Sequence, residues 1–153
     1  MIFIPHNVPS SKNSKVKAKH GVFNSPAVRK YLQKLGVKKY SSSKKTVENY
    51  VTRPNLFMAY KSEFAKMMEG KEPPVFIGYH HVRDTRRKFD FSNSVEILQD
   101  LMTAHGFIED DNVNFVFPVP MTKEGELPAE NNLRKEDWYS VDKNRPGVYI
   151  KIF

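Results

Sequence analysis

Asp90-Phe91-Ser92-Asn93-Ser94-Val95-Glu96-Ile97-Leu98-Gln99-Asp100-Leu101-Met102-Thr103-Ala104-His105-Gly106-Phe107-Ile108-Glu109-Asp110-Asp111 decides how this chain is read. Val95, Leu98, Met102 and His105 recur on one stripe, with Ile97 and Leu101 beside it, which predicts a helix over roughly 94–105. Gly106 fits the left-handed position that ends helices. Upstream, Val75-Phe76-Ile77-Gly78-Tyr79-His80-His81-Val82 reads as a strand, and Arg83 to Lys88 is a basic loop. Downstream, Asn112 to Val119 alternates, with Val113, Phe115, Phe117 and Val119 on one face, and reads as a second strand. Pro118 and Pro120 put its end at a sheet edge. The unit is strand, loop, helix, strand, with acids at both ends of the helix.

Those acids stand in a basic protein. Net charge is +8 over 153 residues. Residues 1–90 carry 19 Lys/Arg against 6 Asp/Glu, and residues 91–153 carry 6 against 11. No acid precedes Glu48, while 11 Lys/Arg do. Such one-sided charge repels itself unless a polyanion screens it, and it reads as a footprint for nucleic acid. A basic, solvated arm is the plainer alternative.

The helix geometry allows the acids to meet. A helix over 94–105 is about 18 Å long. Residues 106–111, if extended, cover about 20 Å. The return is long enough to bring Asp110 or Asp111 back to the level of Asp90. Carboxylates gathered at one point repel, and a hard cation such as Mg²⁺ relieves that repulsion. Such an ion polarises a phosphoryl oxygen, activates a water and stabilises the leaving oxygen. A nearby Lys or Arg offsets transition-state charge. The plainer readings are local. Asn93 with Glu96 three residues later matches a capping box. Asp110-Asp111-Asn112 matches a turn before a strand.

The rest of the chain bounds the answer. Its length predicts one domain, 1–153. There is no cysteine, so disulfides, thiolate metal sites and a cysteine nucleophile are excluded. The opening Met1-Ile2-Phe3-Ile4-Pro5 lacks the basic stretch of a signal peptide. No apolar run approaches the roughly 18 residues that span a bilayer. A soluble, cytoplasmic protein without a membrane partner is expected. Ile2-Phe3-Ile4 reads as a first strand and Gly147 to Phe153 as a closing one. Pro26 opens a helix carrying Val28, Tyr31, Leu32 and Leu35 on one face, with Gly36 at its end. Residues 55–69 predict a further helix through Phe57, Tyr60, Phe64, Met67 and Met68. His80 and His81 are adjacent in a strand, so their rings point to opposite faces and cannot share a metal. Trp138 reads as a packing anchor. The stretches 24–54 and 121–145 read as insertions.

The pattern Asp90, Asn93, Asp100, Gly106, Asp110, Asp111 resembles the RusA family of Holliday junction resolvases. That family's core runs Arg-Asp-Leu-Asp-Asn, a lysine, Asp-Ala-Leu, then Gly and a closing Asp-Asp. Phe89 to Asn93 aligns with the first part, Asp100-Leu101-Met102 with the second and Gly106 to Asp111 with the last. The likeness is specific over about 75–120, with Pro9 to Asn13 as a thinner match. It implies an α+β fold, a small mixed β-sheet with helices packed on one face, in a homodimer. It implies a Mg²⁺- or Mn²⁺-dependent endonuclease acting on four-way junctions or related branched DNA in recombination and repair. Asp90, Asp110 and Asp111 become the expected metal ligands. Asn93 would orient a ligand or water, and Lys12, Lys15, Arg83, Arg86, Arg87 and Lys88 would contact phosphate. Two departures bear on activity. Ser92 stands where the family has its second aspartate, and Glu96 where it has the lysine. Either Glu96 replaces the missing carboxylate, one turn from Ser92, and the loop cations replace the lysine, or the chain binds branched DNA without cutting it well.

Overall fold

The structure is a computed structural model and describes residues 1–10, 15–18, 21–24, 26–37, 55–129 and 133–153. In chain order these form β1 (Ile2–Pro5), β2 (Lys15–Ala18), β3 (Gly21–Asn24), α1 (Pro26–Leu35), α2 (Lys61–Met68), β4 (Val75–Arg83), α3 (Phe91–Ala104), β5 (Val116–Pro120), β6 (Tyr139–Val141) and β7 (Gly147–Ile152). Strands β2 and β3 make a separate antiparallel pair. The main sheet runs β1-β7-β4-β5, and β6 also pairs with β4. It is mixed: β7 is antiparallel to both β1 and β4, while β5 and β6 run parallel to β4.

A parallel pair cannot be joined by a tight turn. The return from the end of β4 to the start of β5 is made by α3. Its apolar spacing makes this possible, since Val95, Ile97, Leu98, Leu101 and Met102 are all buried. They join Ile77 and Tyr79 of β4, Ile150 of β7, Ile2 and Ile4 of β1, and Phe64 of α2 in one core cluster. Val28, Tyr31, Leu32 and Leu35 of α1 enter the same cluster. Among the described residues this is an α+β protein with one mixed sheet and three α-helices. Among the described residues no helix is long and apolar enough to cross a membrane.

Boundaries moved where local hydrogen bonding outweighed apolar spacing. Helix α3 starts at Phe91, because the Asp90 side chain accepts from the Asn93 backbone N–H at 3.2 Å and caps it. Asn93 and Glu96 therefore form no capping box; both lie inside the helix. Strand β5 starts at Val116, since the Asn112 carbonyl accepts from the N–H groups of Phe115 and Val116 and turns the chain. Val113, expected on one face of that strand with Phe115, Phe117 and Val119, falls before it and is 66% exposed. The expected helix over 55–69 begins later, at Lys61, after a short 3-10 turn over Met58–Tyr60. Asn55 Oδ1 accepts from the N–H groups of Phe57 and Met58 and so holds a turn ahead of the helix. The expected insertion at 24–54 contains α1, and its residues 38–54 lie outside the described ones. The 121–145 excursion returns to the sheet as β6.

Gly147 shows how tightly β1 and β7 are joined. A Cβ there would sit 2.4 Å from the Ile4 carbonyl oxygen and 2.4 Å from the Phe3 ring. Backbone cannot yield as a flexible side chain does, so Gly147→Ala is expected to destabilise the fold by about 1–3 kcal/mol. Urea unfolding followed by circular dichroism checks this; an unchanged midpoint would contradict the β1–β7 register.

Candidate nucleic-acid and metal site

Asp90 sits where β4, α3 and β6 converge. It opens into a cleft of about 690 Å³. Arg86, Lys88 and Lys135 supply three cations to its wall, and Phe89, Phe91, Trp138 and Tyr139 supply four aromatic rings. Ser92 also lines it. The rings interlock edge to face: Phe91 with Trp138 at 5.0 Å between centroids, Phe89 with Tyr139 at 5.1 Å. These contacts join the approach to α3 with the segment that leads into β6. The Lys135 ammonium lies 5.5 Å over the Tyr139 ring.

Beneath the cleft are two buried cationic-type side chains in unequal states. Arg83 is 7% exposed. Its Nη1 donates to the Val8 carbonyl at 2.6 Å and its guanidinium lies 5.1 Å over Phe89. Burial lowers its pKa, and Asp84 acts in the opposite direction. Arg83 therefore ties β4 to the chain after β1, a different role from the expected phosphate contact. Ser94 does the same for α3, donating to the Pro9 carbonyl at 3.0 Å. His81 is fully buried between Phe89 and Phe91, at centroid distances of 5.3 and 5.5 Å. Neither of its ring nitrogens has a hydrogen-bond partner among the described residues. Burial, then the charge of Arg83, lowers its pKa to about 3, so it is neutral at ordinary pH. His80 points to the other face, as strand alternation requires. Its Nδ1 lies 2.9 Å from the Met121 carbonyl and its Nε2 3.0 Å from the Ser140 hydroxyl.

The remaining predicted residues divide by position. Arg86, Arg87 and Lys88 are exposed in the loop before α3 and stay available for phosphate. Lys15 lies in β2, and Lys12 lies outside the described residues. Asn93 is half-buried, with its Nδ2 buried and unpartnered. Glu96 is exposed on α3, one turn from the exposed Ser92. Asp110 is spent on its turn: its carboxylate accepts from the Asp111 N–H and the Asn112 side chain. Asp111 is exposed.

Within one chain, Asp90 and the Asp110-Asp111 pair do not come together. Phe89 and Phe91, which flank Asp90, pack on His81 near the end of β4. The turn after Asp111 feeds Val116, which pairs with Val75 at the beginning of β4. Six residues of strand separate those levels, about 20 Å. The expected return fails because residues 107–115 do not run extended. Phe107 and Ile108 are buried, with Phe107 against the rings of Phe57 and Phe64, and the chain then bends into the Asp110–Asn112 turn. Accordingly, no group of three or more His, Asp or Glu side chains is gathered as for a metal ion among the described residues. The carboxylates of a single chain do not fit the three-ligand site that the resemblance implies. Lys135, Trp138 and Tyr139 went unread as site residues. They are 45 or more positions from Asp90, and only the parallel pairing of His81 with Tyr139 brings them there.

The neutral, buried His81 carries a pH signature. Its ordinary pKa of 6.5 applies in the unfolded chain, against about 3 in the fold. The unfolded chain takes up the proton first, so this contribution to stability is present above pH 6.5 and is lost as pH falls toward 3. His80, also lowered by burial, acts in the same direction. His81→Phe removes the titrating group and suits its aromatic surroundings. The variant is expected to lose less stability than the parent between pH 7 and pH 4 in urea unfolding; an equal loss would contradict the buried neutral ring.

Compared with known proteins, the chain matches no family model, no curated protein and no solved structure.

Proposed function

We propose that this protein is a metal-dependent endonuclease of branched DNA, of the RusA-like kind, working as a two-fold dimer. The observation that supports the reading best is the Asp90 cleft: a half-buried carboxylate at a helix N-terminus, walled by Arg86, Lys88 and Lys135. A carboxylate among cations is a poor general binding surface for polyanions but a suitable place for a divalent ion with a phosphate on it. The Asp90 oxygen that does not cap α3 is the natural ligand. Mg²⁺ keeps several waters and takes one or two carboxylates, so Asp90 needs only one more.

In this proposal the second carboxylate comes from another copy. Asp90 and Asp111 mark opposite ends of α3. A two-fold axis across the middle of that helix inverts its direction, which sets the Asp90 end of one copy beside the Asp111 end of the other. Two equivalent sites result, matching the two strands that must be cut at a junction. The ion would polarise the phosphoryl oxygen and lower the pKa of the attacking water. The residues of the chain do the rest. Arg86 and Lys88 hold the phosphate and offset transition-state charge. Asn93, whose buried Nδ2 has no partner among the described residues, would orient a neighbouring group. Glu96 takes the outer position that the family gives to a lysine.

The distance between Asp90 and Asp111 within one chain favours a second reading, a non-catalytic branched-DNA-binding protein with the same cleft. Nicking of a labelled four-way junction in Mg²⁺ or Mn²⁺ separates the two. Under the first reading Asp90→Asn and Asp111→Asn each lower the rate by at least about 100-fold, the loss of several kcal/mol of transition-state stabilisation. Mixing the two inactive variants restores one intact site in the heterodimer and returns part of the activity. A site built within one chain gives no such recovery. Salt-sensitive binding without nicking in either ion supports the second reading.

A further inference from the structure

We infer that the Asp90 cleft is a pocket for one unstacked nucleotide, so that the protein selects DNA whose bases are already unpaired at a branch, gap or single-stranded tail. The inference rests on the DNA-binding part of the function proposed above and names the form of DNA that this site takes.

Three observations carry it. First, the composition of the wall matches a nucleotide. Phe89, Phe91, Trp138 and Tyr139 are each half-buried and all line the cleft, so part of each residue faces it. A base stacks on such surface whatever its identity, because every base has a π-face. Arg86, Lys88 and Lys135 are exposed cations at the same cleft, against the single carboxylate of Asp90, which leaves the wall positive for the phosphate. Second, the size is right for a small occupant. A cleft of about 690 Å³ falls within the range of ordinary ligand pockets and has room for one nucleotide. Third, the walls are held from behind. The two edge-to-face ring pairs lock the loop before α3 to the segment before β6, and His81 backs Phe89 and Phe91 from the core. Rings fixed in this way lose little further freedom when a base arrives.

A stacked base in a duplex cannot enter. Extrusion requires breaking its pairing and stacking, which disfavours intact duplex and favours DNA already open. A nucleotide stacked on the aromatic wall would also bring its own phosphate to the Arg86–Lys88 loop, next to Asp90. The pocket thus selects the DNA and positions the bond that the proposed hydrolysis would break.

Trp138 is the single tryptophan of the chain, so its emission reports on the cleft alone. The probes are a single-stranded octathymidylate and a blunt duplex of equal length, titrated into the full chain at fixed salt without divalent ion. The single strand is expected to quench Trp138 with saturation, and the duplex to need at least about ten-fold more DNA for the same effect. Tyr139→Leu, checked for an unchanged melting temperature, is expected to weaken single-strand binding by about ten-fold, read by anisotropy of a labelled strand. Should that variant melt early, Lys135→Ala, an exposed position, replaces it with a smaller expected loss. Equal quenching by duplex and single strand overturns the inference, as does single-strand binding that leaves Trp138 emission unmoved. Asp111→Asn separates this result from the hydrolytic proposal. Quenching that persists while parent and variant alike fail to nick junctions retains the pocket and removes the nuclease.

Discussion

Parallel pairing of Val75 with Val116 is the constraint from which the rest of the arrangement follows. Once β5 must start beside the start of β4, the chain has to travel back along the sheet, and α3 is the segment that does so. A helix that returns in this way holds its first and last residues at opposite ends of the sheet. Asp90 caps it at one end, and Gly106, with φ of 67°, releases the chain at the other. The acids that stand 20 positions apart in sequence are thereby separated in space, however close a flexible chain could bring them. The same parallel rule acts a second time through β6. Pairing of His81 with Tyr139 draws Lys135, Trp138 and Tyr139 over the opening of α3. One pairing empties the expected site of two acids, and the other furnishes it with a cation and two rings.

The cost of this construction lies under the cleft. His81 has two buried ring nitrogens without partners, and the Arg83 Nε is also buried and unpartnered. Each unsatisfied buried group costs about 1–3 kcal/mol. Core formation alone would favour apolar residues at both positions. Arg83 recovers part of that cost through Val8 and Phe89, and so links β4 to the segment after β1. His81 recovers less, since its contacts are to aromatic edges and faces. Among the described residues, unpartnered buried polar atoms also occur away from the cleft, at Tyr31, Gln99 and Thr103, so those at His81 and Arg83 are a cost of the core and not in themselves the mark of a binding site.

Sequence periodicity located the elements well wherever one face is buried against the core. Val28, Tyr31, Leu32 and Leu35 predicted α1 with its end at Gly36, and the stripe through Val95, Leu98 and Met102 predicted the body of α3. Periodicity failed where polar side chains compete for backbone hydrogen bonds. Asp90 extended α3 by three residues toward its N-terminus, and Asn112 took the first turn away from β5. For the site, sequence reasoning found the acidic and basic residues but assumed that residues 106–111 run extended. The burial of Phe107 and Ile108 decided otherwise, and nothing in the order of polar residues reveals that. The contribution of Trp138 and Tyr139 depends on a strand pairing across 58 positions, which local patterns do not encode.

The uneven charge of the chain takes on a spatial meaning in this light. Basic residues dominate up to Asp90 and acids dominate after it, yet the cleft draws on both parts: Arg86 and Lys88 come from the first and Lys135 from the second. Lys135 is one of only 6 Lys/Arg beyond residue 90, and it stands just before β6 on the wall of the same cleft as the basic loop. Had the basic first part acted only as a diffuse counter-charge for DNA, no such pairing across the fold would be required. Cations supplied from two sides of a pocket with aromatic walls define a direction for a bound phosphate, whereas an unstructured basic arm defines only a sign. Attraction at long range falls away with salt, and the exposed cations at the cleft share that dependence. Under the proposed function the two parts of the charge distribution would do different work: the N-terminal excess would draw the polyanion in, and the few cations around Asp90 would decide how it lies.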